Sequence, residues 1–308
     1  MIKGLALTPP VIGRISIGKV VEKNGKRLPE KDDEFTLTSQ VQNREGWIAH
    51  PLDEQLRQAQ QAPDGPPPKL RSLPVRLLFN DPGLNLRAHY SLFDRDSGRP
   101  LCVGNGETCR RLTGAGLEQL PCPGPSGCEL AQGGRCKPYG RLHVLIDPEH
   151  GPADELGTFI LRTTGINSIR TLSTRMSYLQ AICGDRLAGL PLELRLRGKS
   201  TTASHRAPIY YVDLTLRAGT SLAQAIETAR QRQHQAGFEQ AELDAAARAG
   251  YGLGAFEESE EEGALVMEEF YAHESADESA EKSPAAAALV ETRPSLAQKV
   301  SRRHEQLG

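Results

Sequence analysis

Several features that commonly identify a protein are missing from this 308-residue chain. No apolar run approaches the length needed to cross a bilayer, and the first eighteen residues show neither a long apolar segment nor a small-residue cleavage site. The expectation is a cytoplasmic protein with no membrane partner. Aromatic residues make up 5% of the chain, with a single tryptophan, Trp47, which speaks against binding single strands by base stacking. There is no HExxH, no GxSxG, no phosphate-binding loop and no paired acidic motif at an expected strand end. GNGETCRR, residues 104–111, has a GxG without the third glycine of a dinucleotide site. A deaminase-like zinc centre fails on spacing, because Pro121-Cys122 is not followed by the second cysteine at the required interval and the only nearby acid is Glu118. No enzyme is predicted. Hydrophobic residues at 38% and a mean hydropathy of -0.45 are low, so part of the chain is expected outside any core.

What is present is concentrated in residues 101–146. Five of the six cysteines fall there, Cys102, Cys109, Cys122, Cys128 and Cys136, with eight glycines between the first and the last of them that allow tight bending. A stretch so rich in glycine and poor in large apolar side chains has little core of its own and needs a cross-link. Disulfides are the competing explanation; with no sign of export, a cytosolic setting favours thiolates on zinc. Five cysteines with His143 and His150 oversupply a four-ligand site, and the spacing contains no CxxC. His143, within the alternating RLHVLI, reads as a partly exposed strand residue, and His150 as a turn residue. A closed set of four thiolates leaves no position for a reactive water, which makes the metal structural.

Charge divides the chain. Residues 251–291 carry twelve acidic residues against Lys282 alone, a net of -11, which leaves +9 for the remainder of a chain whose formal charge is -2. The basic body suits nucleic acid or an acidic surface, and an acidic tail can compete for that same surface. Along the body, residues 11–21 read as a strand, Asn24-Gly25 as the centre of a polar hairpin turn, and 35–41 as the returning strand. A helix-compatible run lies within 46–61 and a proline-rich extended connector in 62–74. Strands at 73–79 and 84–93, separated by the turn NDPG, are expected to form a hairpin, followed after the cysteines by strands at 141–146 and 158–162. Ser168 is expected to cap a helix with an apolar stripe of Ile169, Leu172, Met176, Leu179 and Ile182, stopped by Gly184, with Cys183 a small core residue. Strands at 192–197 and 209–216 flank a basic loop, where Arg195, Arg197, Lys199, His205 and Arg206 would make a basic patch. Helices follow from Ser221 to about 235 and over 240–249. In the acidic part beyond, Leu265, Val266, Phe270 and Tyr271 could form a short docking motif, and 295–308 a terminal amphipathic turn.

The combination of IGRISIG, CVGNGETCRR, LPCPGPSGCELAQGGRCKPYGRLHVLI and GTFILRTTGINSIRTLSTRMSYL resembles the recombination directionality factor-like proteins of phages and integrative elements, over roughly residues 12–217. The resemblance implies a zinc-stabilised accessory protein whose best-known relatives bind a serine integrase and tip it from integration towards excision. It assigns the metal to Cys122, Cys128 and Cys136 with one upstream cysteine, taken as Cys102 with Cys109 as the alternative.

The expected fold is α+β: a mainly antiparallel sheet with one helix packed on it and an inserted zinc loop. The expected domains are a core over 1–218 with the zinc loop at 101–140, a helical extension over 219–250, and an acidic, largely disordered tail over 251–308. The leading function is a non-catalytic regulator of site-specific recombination that binds a recombinase or recombinase-DNA complex, with Arg110, Arg111 and Lys137 as contact residues bordering the metal loop. A DNA-binding protein of the same recombination machinery is the alternative. A metal-dependent hydrolase, for which Glu107 or Asp147 would have to matter, comes last.

Overall fold

The computed structural model describes residues 9–23, 26–43, 46–60, 65, 68–147, 157–200, 202, 206–250, 266, 267 and 270. All lie in the unit Met1–Phe270; the second unit, Tyr271–Gly308, is outside the described residues, as are Asn24-Gly25, His150, His205 and residues 62–64, 66 and 67 of the proline-rich connector. In chain order the elements are β1 (Val11–Lys23), β2 (Lys26–Asn43), β3 (Gly46–Ala49), α1 (Pro51–Gln60), β4 (Ser72–Arg76), α2 (Pro82–Asn85), β5 (Leu86–Phe93), β6 (Pro100–Gly104), β7 (Thr108–Thr113), β8 (Gly116–Pro121), a 3-10 segment (Glu129–Gly134), β9 (Lys137–Ile146), β10 (Thr158–Thr163), α3 (Ile166–Ile182), β11 (Leu192–Lys199), β12 (Ile209–Leu216), α4 (Leu222–Ala236) and α5 (Gln240–Gly250). The class is α+β, with a large, mostly antiparallel sheet and few helices.

Nine strands run in the order β3-β2-β1-β10-β9-β5-β6-β7-β8, and β4, β11 and β12 branch from β9. β1 and β10 pair in parallel, and the other named strand pairs are antiparallel. The opening hairpin is longer than the sequence suggests. β1 and β2 remain in register to Lys23↔Lys26, so most of the segment expected as a polar turn is strand.

The hairpin expected between 73–79 and 84–93 does not form. Asp81 caps a helical turn with Pro82 in its first position, its carboxylate accepting from the Gly83 N–H. Inside that turn Asn85 is fully buried: its Oδ1 accepts from the N–H groups of Leu78 and Phe79, both at 3.1 Å, and its Nδ2 donates to the Phe79 carbonyl at 2.7 Å. The chain changes direction there, so β4 pairs with β11 and the end of β9, while β5 pairs with the start of β9 and with β6.

The main core lies on one face of the sheet. Ile15, Leu37, Leu86, Leu142, Val144 and Leu161 point into it, and α3 lays Leu172, Met176, Leu179 and Cys183 against it at helical spacing. Cys183 is thus a core residue, and Ile182 points outward at 39% exposure. Gly165, not Ser168, precedes α3; the buried Ser168 hydroxyl accepts from the Val212 N–H, tying the helix to β12. The helix ends at Gly184, whose φ of +65° is a left-handed conformation that a side chain would strain. Ser221 caps α4 in a reciprocal capping box with Gln224, and Ala225 and Ala229 join the main core.

Asp147, just past β9, ties the two branches together. Its carboxylate meets Arg217 after β12 at 2.5 Å, Arg232 of α4 at 3.0 Å and Arg76 of β4 at 3.1 Å. Although burial acts against its charge, these guanidinia hold the carboxyl below its ordinary range; burial also pushes Arg232 down, ahead of its attraction to Asp147. Removing the one anion leaves three cations facing one another. Asp147→Asn is expected to lower the free energy of unfolding by about 3 kcal/mol at pH 7. A depressed carboxyl contributes stability above the unfolded value of about 3.9 and loses it as pH falls through the folded one. Urea denaturation should therefore show the gap between wild type and variant narrowing as pH falls below about 3.9.

Candidate functional site

The cysteines gather at the far end of the sheet from β3. β6, β7 and β8 form a meander in which each strand pairs antiparallel with the next. The loop expected over 101–140 is corrected accordingly: only residues 122–136 leave the sheet, between strands β8 and β9. The excursion does run between two paired strands, β5 and β9.

The β6–β7 turn is made by Asn105, whose Oδ1 accepts from the N–H groups of Glu107 at 2.9 Å and Thr108 at 2.8 Å. Its outer carbonyl, that of Glu107, accepts from the Cys122 N–H at 2.8 Å, which folds the chain after β8 back over the turn. Gly104 makes this approach possible. A Cβ there would stand 2.7 Å from Cys109 Cβ and 2.9 Å from both Cys122 Sγ and the Thr108 carbonyl.

Cys102 and Cys109 are buried with Leu92 in a small cluster, against which Leu101, Leu120, Cys122 and Cys136 pack. Cys128 begins the 3-10 segment, accepting from the Ala131 N–H at 3.0 Å, and Cys136 immediately precedes β9. Burial, reinforced by the neighbouring Cys102, pushes the Cys109 thiol up to about 11. Burial, with Cys102, Cys122, Cys128 and Cys109 all near enough to repel, pushes Cys136 to about 12. Five sulfurs therefore share one electrostatic neighbourhood, and all five are free thiols. Thiols crowded in this way disfavour one another's thiolates, and a dication reverses that sign. The donor chemistry fits zinc. The side-chain positions do not yet make a site: among the described residues no group of three or more His, Cys, Asp or Glu is placed to hold a metal ion together.

The three expected contact residues do not share one surface. Neighbours on a strand point to opposite faces, so Arg111 lies on the cysteine side, its Nη2 4.0 Å from Cys109 Sγ, while Arg110 projects from the other. Cys102 is the leading influence raising the Arg111 guanidinium. Lys137 sits under the C-terminal end of the unit, donating to the Phe270 carbonyl at 3.4 Å with its Nζ 5.5 Å from that ring. Phe270, 1% exposed, packs edge-on against Phe93 and Tyr139 at 4.8 and 5.8 Å between centroids. Of the docking motif read from the sequence, Val266 and Phe270 are described and both are buried.

The basic patch read around 195–206 is largely neutralised. Arg197 pairs with Asp213 at 3.2 Å, Arg195 with Glu193, and Lys199 donates to Asn167 at 2.8 Å. His143 is 5% exposed rather than partly exposed, and burial with Arg141, Arg87 and Arg162 holds it down to about 3. Those arginines form a second basic face that the sequence reading missed; the signal was the period of two in LRAH and GRLH, cations alternating with core residues on predicted strands.

Two observations relate the chain to known proteins. The model of the Gp3-like family, described as recombination directionality factor-like, matches residues 12–217. No curated protein and no solved structure matches the chain.

Gly104→Ala is expected to cost about 1–3 kcal/mol of stability in urea denaturation, because the new methyl must displace backbone or a buried sulfur. In protein stripped of metal by chelator, Cys109 and Cys136 should alkylate slowly at pH 8, with rates still rising towards pH 11 as their thiolates form. Mass spectrometry of iodoacetamide adducts against pH checks this.

Proposed function

The chain belongs to the recombination directionality factor-like family, and from that premise we propose that it is a non-catalytic accessory protein that redirects site-specific recombination by binding a serine integrase, alone or on DNA. Such a protein needs no chemistry of its own. It needs differential affinity for two synaptic states, and inverting a 1:99 ratio takes about 5.5 kcal/mol of it.

The observation that supports a contact surface is the β7–β8 hairpin at the end of the sheet. Leu112 and Leu117 stand directly opposite each other there at 50% and 45% exposure, and Arg110 follows them on the same face. Apolar residues paired on an exposed hairpin, with a cation beside them, suit a protein partner better than a phosphate backbone. In this reading Arg110 is the contact residue of the original three, Arg111 serves the thiolates, and Lys137 holds Phe270.

The cysteines underneath are the anchor of that hairpin. Cys122, Cys128, Cys136 and Cys102, or Cys109 in its place, would hold a structural zinc ion, which supplies a cross-link between the meander and residues 122–136. Gly104, with no side chain, leaves room for Cys122 Sγ beside Cys109 at the edge of the meander.

Elemental analysis of purified protein is expected to find about one zinc per chain, lost in Cys128→Ser and in one of Cys102→Ser and Cys109→Ser. Leu112→Asp with Leu117→Asp should abolish co-purification with the element's integrase and its stimulation of excision, while zinc content and melting temperature stay unchanged. Retention of both activities in that double variant would sink the hairpin as the contact. Absence of zinc in protein purified without chelator would sink the metal.

A further inference from the structure

Around Asp147 the charges do not balance. Arg76 of β4, Arg217 beyond β12 and Arg232 of α4 surround this one carboxylate, and the Gly189 carbonyl accepts from Arg232 Nη1 at 3.0 Å. Among the described residues no second carboxylate pairs with any of the three guanidinia, so the cluster holds an excess of two positive charges. The excess is felt inside it: burial lowers the Arg232 guanidinium, and the charges of Arg76 and Arg217 add to that effect against the pull of Asp147.

Donors are left over as well. Arg217 Nη2 and Arg232 Nη2 both donate to the same oxygen, Asp147 Oδ2. Arg76 Nε stands 3.1 Å from Oδ1 without hydrogen-bonding geometry, and it and Arg217 Nε are buried with no acceptor. The two Nη groups of Arg76 and Nη1 of Arg217 donate to no described residue. A buried N–H without an acceptor is costly, and an incoming oxygen would remove that cost. The cations can be reached. The Asp147 side chain is 11% exposed, the least of the four, against 20% for Arg76, 17% for Arg217 and 29% for Arg232.

We propose that this cluster is a binding site for a phosphate group, held by the unused donors of Arg76, Arg217 and Arg232. A guanidinium fork matches two phosphate oxygens at once, and a dianion cancels the excess of two charges. Asp147 has two opposed effects on such a ligand: it fixes the guanidinia of Arg217 and Arg232 in place, and its own negative charge weakens the hold. Inorganic phosphate and the phosphates of a DNA backbone present the same oxygens to the site. The proposal goes beyond the integrase reading and is independent of it and of the metal.

The test is calorimetric titration of the full-length protein with inorganic phosphate at constant ionic strength, with melting temperature followed in parallel. Wild type should bind saturably and melt higher in phosphate than in chloride of equal ionic strength. Arg76→Gln, which breaks no hydrogen bond within the cluster, should weaken phosphate binding by about tenfold or more. Asp147→Asn should tighten it by about tenfold, and phosphate should return part of the stability which that variant loses. A cluster that serves structure alone gives no saturable binding in wild type, or the same binding in wild type and Arg76→Gln, and either result overturns the proposal. Should Asp147→Asn fail to fold, the comparison of Arg76→Gln with wild type decides it. A short DNA duplex separates the two sources of the ligand. Competition with phosphate that is lost in Arg76→Gln assigns the site to a backbone phosphate, and phosphate binding without competition assigns it to the free anion.

Discussion

A β-strand can serve two environments at once only because successive side chains leave it on opposite sides, and β9 depends on this more than any other element. Leu142 and Val144 enter the main core; Tyr139, Arg141 and His143, alternating with them, line the basic face. The strand also pairs with three others, β10, β5 and β4, and ends beside Asp147, where one carboxylate gathers arginines from three further places in the chain. A slip of one residue in its register would put guanidinia into the core and leucines among charges, so the pleat of this one strand fixes which surface of the protein is apolar and which is cationic.

Much of this fold could be read in advance. Strands with clean alternation or a marked turn were legible: the Asn-Gly hairpin, the 192–197 and 209–216 pair, the stripe of α3 and its glycine stop. Family membership was legible from ordered motifs alone, and the match to residues 12–217 covers the same span. What escaped has identifiable physical causes. Asp81-Pro82 looked like a plain turn, and whether it led to a hairpin depended on Asn85 satisfying four backbone groups from inside the fold, a tertiary fact. Thr108–Thr113 and Gly116–Pro121 are strands with no clean apolar alternation, because neither face of β8 is fully buried. Ser168 had the chemistry of a cap and a different acceptor role, because Val212 lies 44 residues away in sequence.

The candidate site was half legible. Sequence brought five cysteines into one stretch, and the fold brings their sulfurs into one neighbourhood. It could not give the side of each strand on which a neighbour falls, so Arg110 and Arg111, adjacent in sequence, are separated by the sheet itself. The basic character was legible as a total and misplaced in detail: the cations around 195–199 have local carboxylate partners or a side-chain amide, whereas the in-register row lies among residues that a hydropathy reading treats as ordinary strand.

The seat of Phe270 also has a meaning in time. Phe93 and Tyr139 belong to strands complete once the chain has passed residue 146, and the ring that covers them is more than a hundred residues downstream. At ordinary rates of synthesis that interval is on the order of ten seconds. While the chain is being made, that aromatic pair stands uncovered. The last part of the unit to be translated is thus the part that closes it.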